Sequence, residues 1–355
     1  MEIKFQIKWL HSDDKQQAIE PVLFDLLALI QQKGSLKRAT EHAKVSYRYA
    51  WGLLNKWQGI LGTLVVLEPG RGAYLSEIGE KLLNANTQLN AKFSPELDNF
   101  ATEFKRELTA LTSNVTNTSL NIFASHGLAI SALRQLINEQ SDFKLDLHFH
   151  GSLESLRALH NKHCDIAGFH IPIGPLAKPL HKQYLETLSA KSHELIYVVK
   201  RNQGLMFHRD KTRQITSIQA LKNNQLKFIN RQADSGTRLL FDQLIKSENI
   251  KPEEINGYDD EEFTHLAVAA LIASGVADFG FGIAPMAEKF NLGFIPLVWE
   301  HYCLAVPKTI IKDSPVSQIK TLLQSEDFKQ ILADSQGYQT ERSGQVAPFN
   351  TIFDN

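Results

Sequence analysis

The stretch from Gly34 to Leu83 constrains what this chain can fold into more than any other, because small, apolar and basic residues follow one another there in an order that few arrangements satisfy. Just upstream, Leu23, Leu26, Leu27 and Ile30 form an apolar stripe at helical spacing, with Pro21 suited to the first turn and Gly34 to the end. Ser35 is expected to N-cap a second helix with Leu36, Ala39 and Ala43 inward. Its first turn has no carboxylate and is free to face phosphates. Ala39 is small enough to let a following helix cross closely. Ser46 is expected to cap a third helix, residues 47–59, with Ala50, Leu53, Leu54 and Trp57 inward. Two short apolar strands at 64–67 and 73–75 flank a Glu-Pro-Gly-Arg-Gly hairpin with Arg71 at its tip.

Helix, turn, helix and hairpin in that order predict a winged helix-turn-helix, and with it double-stranded DNA as a partner. The formal net charge of −1 hides a local bias. Between Lys33 and Arg71 stand Lys33, Lys37, Arg38, Lys44, Arg48, Lys56 and Arg71, against only Glu41 and Glu68. Phosphate attraction follows this local field and not the whole-chain sum. DNA contacts are expected from Ser35, Lys37 and Arg38 on the second helix. On the third they are expected from Ser46, Tyr47, Arg48, Tyr49 and Lys56, and Arg71 is expected to reach a minor groove or a phosphate from the wing. Arg48 has the fork needed for two hydrogen bonds to guanine. Trp51 belongs either to this outer face or to packing.

Gly34-Ser35, Ser46-Tyr47-x-x-Ala50-Trp51, the Gly-rich hairpin and Leu75-Ser76-x-x-Gly79-x-x-Leu82 resemble the DNA-binding domain of the ModE family of molybdate-responsive regulators, and more distantly the LysR type. The hairpin is shorter than the ModE family's long Gly-rich loop. The likeness covers about the first third of the chain. After it, residues 76–111 read as a long helical stretch broken or kinked at Ser94-Pro95. Leu82, Leu89, Phe93, Leu97, Phe100, Phe104, Leu108 and Leu111 recur near helical spacing, which predicts a linker helix that pairs two copies into a homodimer. The polar, aperiodic run at 112–119 reads as a linker.

From residue 119 strands and helices alternate, which predicts parallel α/β sheets, and a span of this size predicts two lobes with a cleft between them. The fold class expected for the whole is therefore α/β multidomain: a winged helix-turn-helix over 1–75, a linker and dimerisation helix over 76–111, and a two-lobed ligand-sensing domain over 119–355. Three strand ends run into helix starts with small polar or basic residues: Ala124-Ser125-His126-Gly127, His150-Gly151-Ser152 and Asn230 to Arg238. In the last, Ser235, Gly236 and Thr237 open a helix whose N–H groups and hydroxyls can face one anion, with Arg231 and Arg238 supplying charge. Three such starts converging on a cleft bind a compact oxyanion or carboxylate without a metal.

This second region resembles type 2 periplasmic-binding-protein folds. Cys164-Asp-Ile-Ala-Gly-Phe-His170, Asn230-Arg-Gln-x-x-Ser-Gly-Thr-Arg238, His265-x-x-Val-Ala-Ala and Gly275-x-Ala-Asp-Phe-Gly-Phe-Gly282 carry the likeness together with the helix starts. The resemblance implies a molybdate or tungstate effector held by Ser125, Ser152, Arg231, Ser235, Thr237 and Arg238. His126, His170 and His265 near the cleft would also admit a small carboxylate such as formate, or a larger ligand related to the molybdenum cofactor. His148-x-His150 and His160-x-x-His163-Cys164 have metal-like spacing without the further ligands of a tetrahedral site. No nucleophile, base and orienter line up. The expectation is a binding protein with no cofactor and no metal, not an enzyme. No apolar run is long enough for a membrane span, the N-terminus reads as an exposed strand over 1–10, and the two distant cysteines show no disulfide framework, so the cytoplasm is the expected compartment.

Overall fold

The computed structural model describes residues 3–12, 16–68, 72–112, 119–233, 235–333 and 335–353. The chain separates into two compact units: Gln6–Ser94, and Pro95–Asn355 together with Met1–Phe5. No described helix is long and apolar enough to cross a membrane.

In the first unit, β1 (Leu10–His11) pairs antiparallel with β2 (Gln17–Ala18). Residues 3–9 form no strand, which corrects the expectation for the N-terminus: alternation alone makes no ladder without a neighbouring strand. Helices α1 (Pro21–Lys33), α2 (Leu36–Ala43) and α3 (Tyr47–Leu61) follow. Gly34 closes α1 at φ 64°, a left-handed conformation that glycine adopts without strain. Ser35 and Ser46 cap α2 and α3 by accepting from the N–H of Arg38 and Tyr49 at 3.4 and 3.2 Å. The hairpin of β3 (Val65–Glu68) and β4 (Gly72–Leu75) follows. Leu23, Leu26, Leu27, Ile30, Ala39, Ala50, Leu53, Leu54, Trp57 and Ala73 build one core beneath these elements.

Helix α4 (Glu77–Thr112) runs unbroken through Pro95, where the sequence predicts a break or kink. The ring removes one N–H, but the residues just after it are held by other bonds. The Asn99 side chain accepts from Phe149 N at 2.7 Å and donates to Phe149 O at 3.0 Å, and Asp98 pairs with Arg134 at 3.2 Å.

The rest of the second unit runs β5 (Ser119–Ala124), α5 (Leu128–Gln140), β6 (Lys144–Phe149), α6 (Ser152–His160), β7 (Ile166–Pro172), α7 (Lys178–Leu185), β8 (His193–Phe207), β9 (Phe228–Arg231), α8 (Gly236–Ser247), β10 (Glu261–Glu262), α9 (His265–Ala273), β11 (Phe279–Ile283), α10 (Ala284–Lys289), β12 (Gly293–Pro307), α11 (Ser314–Gln324), α12 (Glu326–Ala333), β13 (Tyr338–Gln339), β14 (Val346–Ala347) and α13 (Phe349–Phe353). Residues Ile218–Lys222 form a short 3₁₀ helix.

The strands form one mixed sheet in the order β10-β9-β11-β8-β12-β7-β5-β6, with β13 and β14 also on β8. This corrects the expectation of parallel sheets. Pairing is parallel within β5-β6-β7 and β9-β11, but β8 and β12 run antiparallel to each other and to the strands beside them. These two strands are 15 residues each, about 50 Å if fully extended, and long enough to serve two lobes. One end of β8 (Leu195–Val199) packs into the cores around β5–β7. The other end (Leu205–Phe207) packs into the cores around β9 and β11. The domain is thus two-lobed, and its lobes meet where β8 and β12 cross.

Candidate functional site

The middle of β8 reads Lys-Arg-Asn-Gln-Gly between two apolar runs, and the middle of β12 reads Trp-Glu-His. The register sets Arg201 opposite Glu300 and Gln203 opposite Val298. Alternate strand residues share a face, so Arg201, Gln203, Glu300 and Tyr302 look the same way. Arg201 Nε donates to Glu300 Oε1 at 2.5 Å, and its Nη2 lies 3.2 Å from His170 Nε2. His170 Nδ1 lies 3.3 Å from the same Glu300 oxygen. With the guanidinium donating to Nε2, the imidazole proton belongs on Nδ1, toward Glu300.

Helix starts close around this pair. Ser152, the first residue of α6, accepts from His170 N at 3.2 Å. Tyr302 stacks on His170 at 4.1 Å and its hydroxyl accepts from Ser125 N at 3.1 Å. Gly236, the first residue of α8, approaches so closely that an added Cβ would stand 2.8 Å from Ser152 Oγ and 3.2 Å from His170 Cβ. A side chain here would have to push Ser152 and His170, which belong to the opposite lobe, out of place. Thr237 Oγ1 lies 3.3 Å from His265 Nε2, at the start of α9. Arg231, at the end of β9, donates to the carbonyls of Glu262 and Phe263 at 3.2 and 2.7 Å.

The site is electropositive. Burial and the neighbouring Arg201 pull the Arg231 guanidinium down to about 9, still above neutral pH, so it stays charged. Burial opposes the Arg201 charge most strongly, but Glu300 and Tyr338 together outweigh it and hold that group above its ordinary value. His170 lies well below the usual imidazole range through burial, with Arg201 and Arg231 adding to the shift. His265 is lowered by burial and by Arg231, Arg201 and the other two histidines. His126 is lowered by burial, against an opposing pull from Asp98, with Arg231 and Arg134 adding smaller downward contributions. Two buried cations therefore share the buried Glu300 carboxylate, with the half-buried Glu262 also acting on Arg231, amid imidazoles shifted toward the neutral form.

The family model for the PBP superfamily domain (PBP-like) matches residues 133–324, just over half of the chain. The chain belongs to the PBP-like family. Its relatives include the uncharacterized protein YvgK of Bacillus subtilis, 32% identical over 201 residues, which are 56% of this chain and 64% of that one. The chain thus spans less than two thirds of YvgK. A Clostridium pasteurianum protein encoded in the 5' region of the ferredoxin 2Fe-2S gene is 34% identical over 109 residues, 30% of this chain and 96% of its own length. Among solved structures, similar chains include a Corynebacterium glutamicum OxyR mutant with bound H2O2 (14% identical, TM-score 0.44, 89% of this chain and 94% of that one). Another is CbnR, a LysR family transcriptional regulator (14% identical, TM-score 0.38, 85% and 98%). Likeness at this level leaves the ligand to be argued from the PBP-like domain's own residues.

Of the residues expected in the PBP-like site, Ser125, His126, Ser152, His170, Arg231, Gly236, Thr237 and His265 gather around the strand crossing. Ser235 stands at the same helix start as a cap, accepting from Arg238 N at 3.1 Å and donating to Gln232 O at 2.9 Å. Arg238 differs from its expected role. It pairs with Glu261 at 2.7 Å and Asp242 at 3.0 Å and lies over Tyr258 at 4.2 Å, so two carboxylates already answer its charge. Arg201, Gln203, Glu300 and Tyr302 were not expected. The available signal was the polar interruption of two otherwise apolar strands.

In the N-terminal unit, Lys37, Arg38, Ser46, Tyr47, Arg48 and Tyr49 are exposed and Ser35 is half-buried. Tyr47, 50% exposed, stacks on Trp51, 41% exposed, at 6.4 Å. Lys56 pairs with Glu20 at 2.8 Å, and Glu20 also accepts from Trp57 Nε1 at 2.6 Å. The lysine is thereby drawn toward α1. Arg71 lies outside the described residues.

Proposed function

We propose that this chain is an anion-responsive, DNA-binding regulator and not an enzyme. Its PBP-like domain would hold a small anion where β8 and β12 cross, and its N-terminal unit would be a winged helix-turn-helix reading double-stranded DNA. One observation carries the anion reading: Arg201 and Arg231 are buried together, with Glu300 as the fully buried carboxylate beside them and the half-buried Glu262 also acting on Arg231. Buried charge without a counter-charge is expensive. A bound anion supplies further counter-charge, and the N-termini of α6, α8 and α9 add their N–H groups and dipoles. The resemblance to molybdate-responsive regulators makes molybdate or tungstate the first effectors to test. The neutral histidines favour small carboxylates such as formate, or a ligand related to the molybdenum cofactor, as the second class.

The DNA reading is supported by the exposed Tyr47, Arg48, Tyr49 and Trp51 on one end of a helix that follows a tight turn. Phe100 and Phe104, exposed and stacked at 6.4 Å on α4, support a homodimer. A thermal-shift series on the full chain, at constant ionic strength, tests the sensor with molybdate, tungstate, sulfate, formate and small carboxylates. At least one should raise the midpoint in a saturable way. A flat response to every anion at millimolar concentration rejects the site.

A further inference from the structure

Glu300 narrows the class of anion. It is 0% exposed, Arg201 donates to its Oε1, and His170 Nδ1, which has no hydrogen-bond partner among the described residues, lies 3.3 Å from that oxygen. Its Oε2 is buried and has no hydrogen-bond partner among the described residues. Beside it on the same sheet face, Gln203 is also 0% exposed, and neither its Oε1 nor its Nε2 has a partner among those residues. Interchanging the amide O and N alters nothing, since each orientation presents one acceptor and two donor hydrogens.

An ionised carboxylate only accepts hydrogen bonds. Buried polar atoms in native proteins are paired, and an unmade bond there is costly. The site therefore calls for two things at once: negative charge for Arg231 and Arg201, and a donated hydrogen for Glu300 Oε2. Molybdate, tungstate and sulfate at neutral pH offer acceptor oxygens alone. They would satisfy the guanidiniums while setting a negative oxygen against the carboxylate.

Resting on the anion-site reading above, we infer that the ligand is an anion carrying its own hydrogen-bond donor, which it gives to Glu300, with Gln203 bonding the part of the ligand beside that donor. Donor-bearing anions come from two sources, a protonated oxyanion or an organic acid with a hydroxyl or N–H near its carboxylate. Glu300 and Gln203 set specificity, while Arg231 holds the charge.

Calorimetry on the full chain with matched pairs tests this. Glycolate is compared with acetate, and hydrogen phosphate with sulfate and molybdate, at pH 7.5 and constant ionic strength. The donor-bearing member of at least one pair should bind at least about tenfold more tightly, as expected when its absence leaves a buried polar group unpaired. The pair that discriminates identifies the source. Glu300→Gln, which removes the charge and adds a donor, should shrink that preference and improve sulfate or molybdate binding about tenfold. Should Glu300→Gln fold poorly through loss of the Arg201 pair, Gln203→Leu leaves that pair intact. It should weaken the preferred anion about tenfold and leave molybdate unchanged. Molybdate or sulfate binding as tightly as the donor-bearing anions, and unaffected by either substitution, would overturn the donor inference and leave the anion site standing. Heat from none of the probes would overturn the anion site itself.

Discussion

At the residue scale, the site works by imbalance. Arg201, Arg231, Glu300, His170 and His265 are buried and His126 is half-buried, and burial of this kind is how ordinary side chains acquire shifted charge states. It also makes the fold acid-sensitive. The folded-state values of His126, His170 and His265 all lie below the ordinary imidazole value. From about pH 6.5 downward to the folded values, the unfolded chain binds more protons, so stability rises with pH and is lost as pH falls through that window. The thermal midpoint should fall by several degrees between pH 7.5 and pH 5, and His265→Asn should flatten that slope. A midpoint independent of pH over this range would mean that the imidazoles are not held neutral. His126 and His265 were legible in the sequence because they stand just after a strand end and at a helix start, whereas His170 lies within β7, which runs on to Pro172. Arg201 and Glu300 were not, because they lie mid-strand, where nothing local marks a cleft: only the pairing of two strands distant in sequence brings them together. Arg238 looked like a ligand because its neighbours in sequence are ligand-like. Its carboxylate partner Glu261 comes from β10, and sequence spacing does not report that contact.

At the element scale, helix starts and ends were the most readable features. Gly34, Ser35 and Ser46 act through local geometry, and the caps form as their side chains dictate. Strand direction was less readable. β8 and β12 look like ordinary apolar runs cut short by polar residues, and only the completed sheet shows each to be continuous and antiparallel to its neighbours. Gly236 lies where α8 meets the opposite lobe, against which Leu239 also packs. Gly236→Ala pushes a methyl into Ser152 and His170, and overpacking of this kind typically costs about 1–3 kcal/mol. The substitution should lower the thermal midpoint and weaken anion binding together. Unchanged values of both would show that α8 does not press on the opposite lobe. In α3, Arg48 is exposed near the helix start, as base contact requires. Arg48→Ala should weaken binding to a selected DNA duplex by about 1–3 kcal/mol, as anisotropy would report, and relax the preference at one base position. Equal affinity for all duplexes in both proteins would remove Arg48 from base readout.

At the scale of the whole molecule, the sequence conveys the division of labour better than the details. A basic, aromatic N-terminal unit and an α/β PBP-like unit are distinguishable from charge and periodicity, but the two units divide between Ser94 and Pro95, inside α4, and not at the polar run at 112–119, whose residues 113–118 lie outside the described residues. The identity of the anion is not distinguishable in this way, since it depends on which buried atoms remain unpaired after folding. The regulator reading adds a thermodynamic demand: if an anion alters DNA affinity by some factor, DNA must alter anion affinity by the same factor. Titrating the anion with and without a bound duplex should therefore give two different dissociation constants. Identical constants would mean that the two units act separately.

The most direct test of the anion site is a calorimetric titration of the full chain and of its Arg231→Gln variant with the strongest anion from the thermal-shift series. Losing a charge-assisted hydrogen bond from a buried site costs about 1.5–3 kcal/mol. The account predicts that the wild-type chain binds one equivalent and that the folded variant binds roughly ten- to a hundredfold more weakly. Equal binding by both proteins would place the anion somewhere other than the crossing of β8 and β12, and would contradict the account.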